Sequence, residues 1–283
     1  MKFLVPTDFS KNSKHAIRYA AHLAKPLGAE VILLHAWNQI PASSELEELS
    51  VITGIEYFAE RSEHSLEKTI RELENSYPVF AQPISKQGFA PDVIKSLAAE
   101  INVDLVIMGR RGMGAVGRMI LGSVSSKVFT SDVRPLLVVP DKTAITELNE
   151  IVFATDFYDS DLEHLKVITK IARAFNSNIT VLHLRQKGSA HELPSAFFED
   201  YEKSIRTKLR YAGLSFEQRE CSDLHEAYET YVKTNHVNLI SVAGVHRSLM
   251  EQWVNPSFSK HILGHTDIPV LVFAAYDSEN SDF

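Results

Sequence analysis

The chain repeats itself at a spacing of about half its length. Phe3-Leu4-Val5-Pro6-Thr7-Asp8-Phe9 returns as Ile151-Val152-Phe153-Ala154-Thr155-Asp156-Phe157, and Val31-Ile32-Leu33-Leu34-His35 as Ile179-Thr180-Val181-Leu182-His183. Asp104-Leu105-Val106-Ile107-Met108-Gly109 returns, one residue longer, as Asn238-Leu239-Ile240-Ser241-Val242-Ala243-Gly244. Arg134-Pro135-Leu136-Leu137-Val138-Val139 returns as Ile268-Pro269-Val270-Leu271-Val272-Phe273. The order is kept, and the period is far too long for a solenoid. At roughly 100–200 residues per domain, a chain of 283 residues holds two copies of one domain. We expect domains at residues 1–142 and 148–276, a join within 141–149, and a polar tail at 277–283.

Each copy alternates strand and helix signals. In the first, apolar runs near residues 2–6, 30–36, 79–86, 104–109 and 135–139 lack polar alternation, which suits strands buried on both faces of a parallel sheet. Helical stretches lie between them. Residues 10–27 open on Ser10 as N-cap and end at Gly28, and residues 44–76 are long and charged. Residues 91–100 start on Pro91, and residues 122–131 follow a glycine-bearing loop. The expected fold class is α/β: two tandem doubly wound, Rossmann-like parallel-sheet domains. Such sheets bind ligands beyond the carboxyl ends of their strands, where the strand order reverses.

The formal net charge of −7 argues against a nucleic-acid partner or an anionic membrane, both of which reward clustered Lys and Arg. A single cysteine, Cys221, allows no internal disulfide, and the opening apolar run turns polar at Thr7-Asp8, too soon for a signal peptide. No apolar stretch approaches the roughly 18 residues of a membrane span. A cytoplasmic location is expected.

The strongest chemical signal follows the fourth strand. After Met108 come Gly109, two residues, Gly112, nine residues, and Gly122-Ser123. Glycine lets backbone approach an anion, successive amides form anion-binding nests, and a helix start favours negative charge. Arg110, Arg111 and Arg118 add positive charge. Gly117 to Gly122 has phosphate-loop NTPase spacing, but Ser123-Val124 stands where Lys then Ser or Thr is required, so that reading fails. Gly112-Met113-Gly114-Ala115-Val116-Gly117 is a formal dinucleotide fingerprint with Asp141 as its acid. It sits on the wrong strand, three residues late, and stays open as an alternative. Asp8, after the first strand, suits either a turn or N-cap or an acceptor for ribose hydroxyls or an adenine amine.

Three features together resemble the universal stress protein family in a tandem form. They are Val5-Pro6-Thr7-Asp8-Phe9-Ser10, the run Val31 to His35, and the glycine run from Met108 to Ser125, which matches the family's G-2x-G-9x-G-S/T nucleotide motif without departure. The resemblance implies a five-stranded sheet of order 3-2-1-4-5 and an ATP site. It implies that Pro6, Thr7 and Asp8 face ribose and adenine, that Ala36 meets the adenine edge by its backbone, and that Met108, Gly109, Arg111, Gly112, Gly122, Ser123, Val124 and Ser125 surround the phosphates. Mg²⁺ would bridge phosphate oxygens, with ADP or AMP as alternative ligands. The implied role is a nucleotide-responsive regulatory module in stress response. Slow ATP hydrolysis or phosphotransfer, and a ligand-free interaction protein, are the alternatives. Association as a homodimer, or as an internal pseudo-dimer of the repeats, would cover exposed sheet edges.

The second copy departs from this pattern. Arg247 stands at the second glycine, and Pro256-Ser257 replaces Gly122-Ser123. Arginine fills space that close approach needs, and proline removes a donor, so this copy is expected to lack a standard ATP site. His35 and His183 end equivalent strands and read as structural histidines. His261 and His265 read as a solvated helix end, and Cys221 as a plain buried thiol rather than a nucleophile.

Overall fold

The structure is a computed structural model that describes residues 1–38, 48–111, 121–131, 133, 135–188, 195–243 and 262–273, with side chains from residue 55 in the second helix and from residue 196 in the sixth. The chain divides into two compact units, Met1–Ile145 and Thr146–Phe283.

The first unit runs β1 (Lys2–Pro6), α1 (Lys11–Leu27), β2 (Glu30–Trp37), α2 (Glu48–Ser76), β3 (Ala81–Gln87), α3 (Ala90–Glu100), β4 (Leu105–Gly109), α4 (Ser123–Phe129) and β5 (Leu136–Val139). Its strands lie in the order β3-β2-β1-β4-β5, with all pairings parallel. Phe3 is central: it faces Val31 on one side and Leu105 on the other, and is fully buried. Only crossover helices can join parallel neighbours, and the apolar stripe of α1 (Ala16, Ile17, Ala20, Leu23, Ala24) covers the sheet. Ser10 caps α1 by accepting from the Ser13 amide, and Gly28 ends it at φ 57°, a left-handed turn that glycine adopts freely.

The second unit repeats the plan with β6 (Glu150–Ala154), α5 (Asp161–Phe175), β7 (Asn178–Gln186), α6 (Ser195–Leu209), β8 (Leu214–Cys221), α7 (Leu224–Thr234), β9 (Leu239–Ala243) and β10 (Val270–Phe273). Its order is β8-β7-β6-β9-β10, again with parallel pairs. Ile151 occupies the place of Phe3, between Ile179 and Leu239.

One expectation needs correction. The third strand of the first unit is not buried on both faces: after Ala81 its side chains are exposed or half-buried. Within the unit β3 pairs only with β2, and Pro83 and Lys86 are tolerated there because an edge needs neither a full ladder nor two apolar faces. No helix among the described residues is long and apolar enough to cross a membrane.

Candidate functional site

In the first unit, β1 and β4 are neighbours whose chain connections leave in opposite directions, so a crevice opens at their carboxyl ends. The sequence builds one wall of it tightly. The Thr7 amide continues the ladder to the Leu34 carbonyl (2.8 Å), and Thr7 Oγ1 donates to Ser13 Oγ (3.0 Å) while accepting from the Phe9 amide (3.0 Å). Phe9 is thereby held at φ 60°, a conformation that a bulky side chain adopts only under constraint. The Ser10 amide donates to Asp8 Oδ1 at 3.1 Å, so Asp8 closes an Asx turn and remains half-buried at the rim. Of the two roles read from the sequence for Asp8, the turn is the one this bond makes. Pro6 ends β1, and Ala36 lies near the end of β2, paired with Lys86.

The other wall comes from β4. Met108 and Gly109 are buried at its end. A Cβ on Gly109 would lie 3.1 Å from the Asn12 carbonyl oxygen, so the close approach that Gly109 permits in this structure is to the first turn of α1. Beyond it the Arg110 amide donates to the Val139 carbonyl and the Gly122 amide donates to the Arg110 carbonyl, both at 2.9 Å. The loop thus leaves and re-enters at one point, and Gly122 sets the start of α4 with extended backbone (φ −60°, ψ 157°). Ser123 is exposed there and Val124 half-buried. Ser125 points inward: buried, it donates to the Gly109 carbonyl at 2.9 Å and ties α4 to β4. Gly112, Gly114, Gly117 and Arg118 lie outside the described residues.

The two arginines after Gly109 separate in function. Arg110 is buried and pairs with Asp141 at 3.0 Å. Burial pushes the Asp141 carboxyl upward, but the Arg110 hydrogen bond and the Arg110 and Arg111 charges outweigh it and hold the carboxyl below its usual range. Arg110 is thus the partner of Asp141 in this structure. Among the described residues no three His, Cys, Asp or Glu side chains converge on a metal position.

The equivalent crevice of the second unit has a different lining. Thr155 repeats Thr7, with its amide on Leu182 (3.0 Å) and its hydroxyl accepting from Phe157 (2.7 Å), and Phe157 repeats the left-handed turn at φ 64°. Six residues after the threonine, however, Asp161 replaces Ser13. It is fully buried and accepts from Thr155 Oγ1 and from Tyr201 Oη (2.8 Å). Burial, with help from the Asp156 charge, raises its pKa to about 6 despite these bonds. Tyr201 belongs to α6, which also packs Phe197 and Phe198 on Phe157, at 4.9 Å for Tyr201 and 5.7 Å for each phenylalanine. Side chains of the protein thus occupy the strand-end position beside Phe157. Sequence reasoning missed this cluster, although the Phe197-Phe198-Tyr201 spacing and the exchange of Ser13 for Asp161 at equal offset carry its signal. Gly244, Arg247, Pro256, Ser257 and His261 lie outside the described residues. Cys221 is the last residue of β8, half-buried, with its thiol near the Arg185 carbonyl and its pKa raised by burial, as suits an inert thiol.

Comparison with known proteins bears on the first half most directly. The model of the universal stress protein family matches residues 1–140. Universal stress protein YxiE of Bacillus subtilis is 32% identical over 149 residues, which cover 49% of this chain and 97% of that protein. Universal stress protein MJ0577 of Methanocaldococcus jannaschii is 28% identical over 156 residues, 50% of this chain and 96% of the relative. Among solved structures, a universal stress protein from Archaeoglobus fulgidus shares the fold at a TM-score of 0.74 and 19% identity, covering 97% of this chain and 98% of that one.

Proposed function

The chain belongs to the universal stress protein family, and on that premise we propose that its first half binds ATP, or ADP or AMP, in the crevice at the carboxyl ends of β1, β2 and β4. The observation that carries this reading is the bond from the Gly122 amide to the Arg110 carbonyl. It closes a glycine-bearing loop on its own origin beside the point where the strand order reverses. Main-chain amides on that loop and at the start of α4 then suit a polyphosphate, with Arg111 and the exposed Ser123 hydroxyl beside them. Asp8, at the rim of the other wall, supplies an acceptor for ribose or for the adenine amine. Mg²⁺ would travel on the phosphates, since no cluster of His, Cys, Asp or Glu side chains forms a cage for it among the described residues.

Binding serves regulation rather than turnover in this reading: nucleotide occupancy is the signal, and the β4–α4 connection is the element that passes it on. The lining of the second crevice by Phe157, Phe197, Phe198 and Tyr201 supports one nucleotide site per chain. The test is calorimetric titration of the full chain with Mg-ATP, beside the Gly122→Val variant. Val puts an isopropyl group on the backbone where the loop enters α4, and binding should fall below detection while the circular dichroism spectrum stays unchanged. Equal affinity in the variant would remove the basis of the reading.

A further inference from the structure

At the end of β2 four side chains form a single file of hydrogen bonds. Trp37 Nε1 lies 2.9 Å from Ser85 Oγ, Ser85 Oγ donates to Ser62 Oγ at 2.7 Å, and Ser62 Oγ lies 2.7 Å from His35 Nδ1. An indole N–H can only donate. Ser85 therefore accepts from Trp37 and gives its own hydrogen to Ser62. Ser62 already accepts, so its hydrogen goes to His35. Other hydroxyls of α2 turn back on their own helix, Ser65 to the Arg61 carbonyl and Thr69 to the Ser65 carbonyl, both at 2.8 Å. Ser62 makes no such bond among the described residues. His35 Nδ1 is thus an acceptor, and the neutral ring must carry its hydrogen on Nε2.

The ring is fixed as well as its tautomer. Phe9 packs against it at 4.6 Å between centroids, on a ring that is only half-buried. Nε2 meets no protein acceptor among the described residues. We propose that the Trp37–Ser85–Ser62 file makes His35 a fixed neutral donor that reads an acceptor atom on the nucleoside part of the ligand. The inference rests on the reading that the first half binds an adenine nucleotide.

Two further observations support it. Burial lowers the His35 pKa against the opposing pull of Asp8, so the ring brings a hydrogen-bond donor without a charge for the phosphates. The second half supplies the contrast. His183 holds the same strand position and the same stack, 4.5 Å from Phe157. Its Nδ1, however, faces the Thr155 carbonyl at 2.9 Å and Asp156 Oδ1 at 3.4 Å, so Nδ1 carries the hydrogen. When neutral, His183 presents an acceptor where His35 presents a donor. The two repeats therefore offer opposite polarity at one equivalent position.

Ring ¹⁵N spectra of the full chain test the first step, with signals assigned by their loss in His35→Phe and His183→Phe. Hydrogen on Nε2 of His35 and on Nδ1 of His183 is expected, and Ser62→Ala should shift His35 toward the other tautomer. Calorimetry with ATP and with adenosine tests the second. His35→Phe should weaken both ligands by the same factor, about fivefold for one neutral hydrogen bond. His35→Gln, which keeps an N–H of similar reach, should restore part of the loss. Comparing adenosine with 2′-deoxyadenosine and inosine then separates a ribose contact from a base contact. Hydrogen on Nδ1 of His35 overturns the proposal, as does a loss confined to ATP, which would mean a phosphate contact. Unchanged affinity in His35→Phe overturns it while leaving the nucleotide reading intact. Wild-type chain that binds neither ligand overturns both.

Discussion

Asp161 shows how one residue changes a repeated site. Ser13, its counterpart, shares its hydroxyl with Thr7 and Ser10 without charge. Asp161 places a carboxyl in the same buried position and titrates near pH 6. A carboxyl whose folded pKa lies above its unfolded value binds more protons in the folded state. Stability is therefore greatest below the unfolded value of 3.8 and declines as pH rises through about 6. The loss is about 3 kcal/mol for a shift of roughly two units. Asp161→Asn keeps acceptors for Thr155 and Tyr201 and removes the titration. In urea unfolding, the variant should exceed wild type at pH 7.5 and lose that advantage toward pH 4. Parallel pH profiles would contradict the account. At Gly109 the argument is steric. Gly109→Ala sets a methyl group 3.1 Å from the Asn12 carbonyl and should cost about 1–3 kcal/mol in thermal unfolding, by forcing α1 away from β4.

Elements were legible where their signal is local. Ser10 and Gly28 bound α1 as their chemistry requires, and the buried runs of β1, β2, β4 and β5 announce themselves by unbroken apolar residues. β3 was placed, but its burial was misjudged, because an edge position depends on which strand lies beside it and not on its own residues. Ser125 was placed among the residues around the phosphates by resemblance; that its hydroxyl turns inward to Gly109 follows from the docking of α4 on β4, which no spacing reveals. The pairing of Arg110 with Asp141 and the contacts of α6 with Phe157 join residues 31 and about 40 positions apart, beyond the reach of any local pattern. Caps remain testable one at a time. Asp223 accepts from the Glu226 amide at 2.8 Å at the start of α7, and Asp223→Ala should destabilise the second unit by about 1 kcal/mol in denaturant unfolding.

For the whole chain, the repeat fixed the architecture: two units, each a five-stranded parallel sheet with the same order and the same left-handed phenylalanine after its first strand. Duplication of a fold does not duplicate its site. Both units keep the threonine and the aspartate after the first strand; the first carries a loop that closes on Arg110, whereas the second packs Phe197, Phe198 and Tyr201 on Phe157. The most direct measurement of that asymmetry is equilibrium dialysis of the purified full chain, stripped of bound nucleotide, against radiolabelled ATP with Mg²⁺. The account predicts saturation at one ATP per chain; saturation at two, or no binding at all, would contradict it.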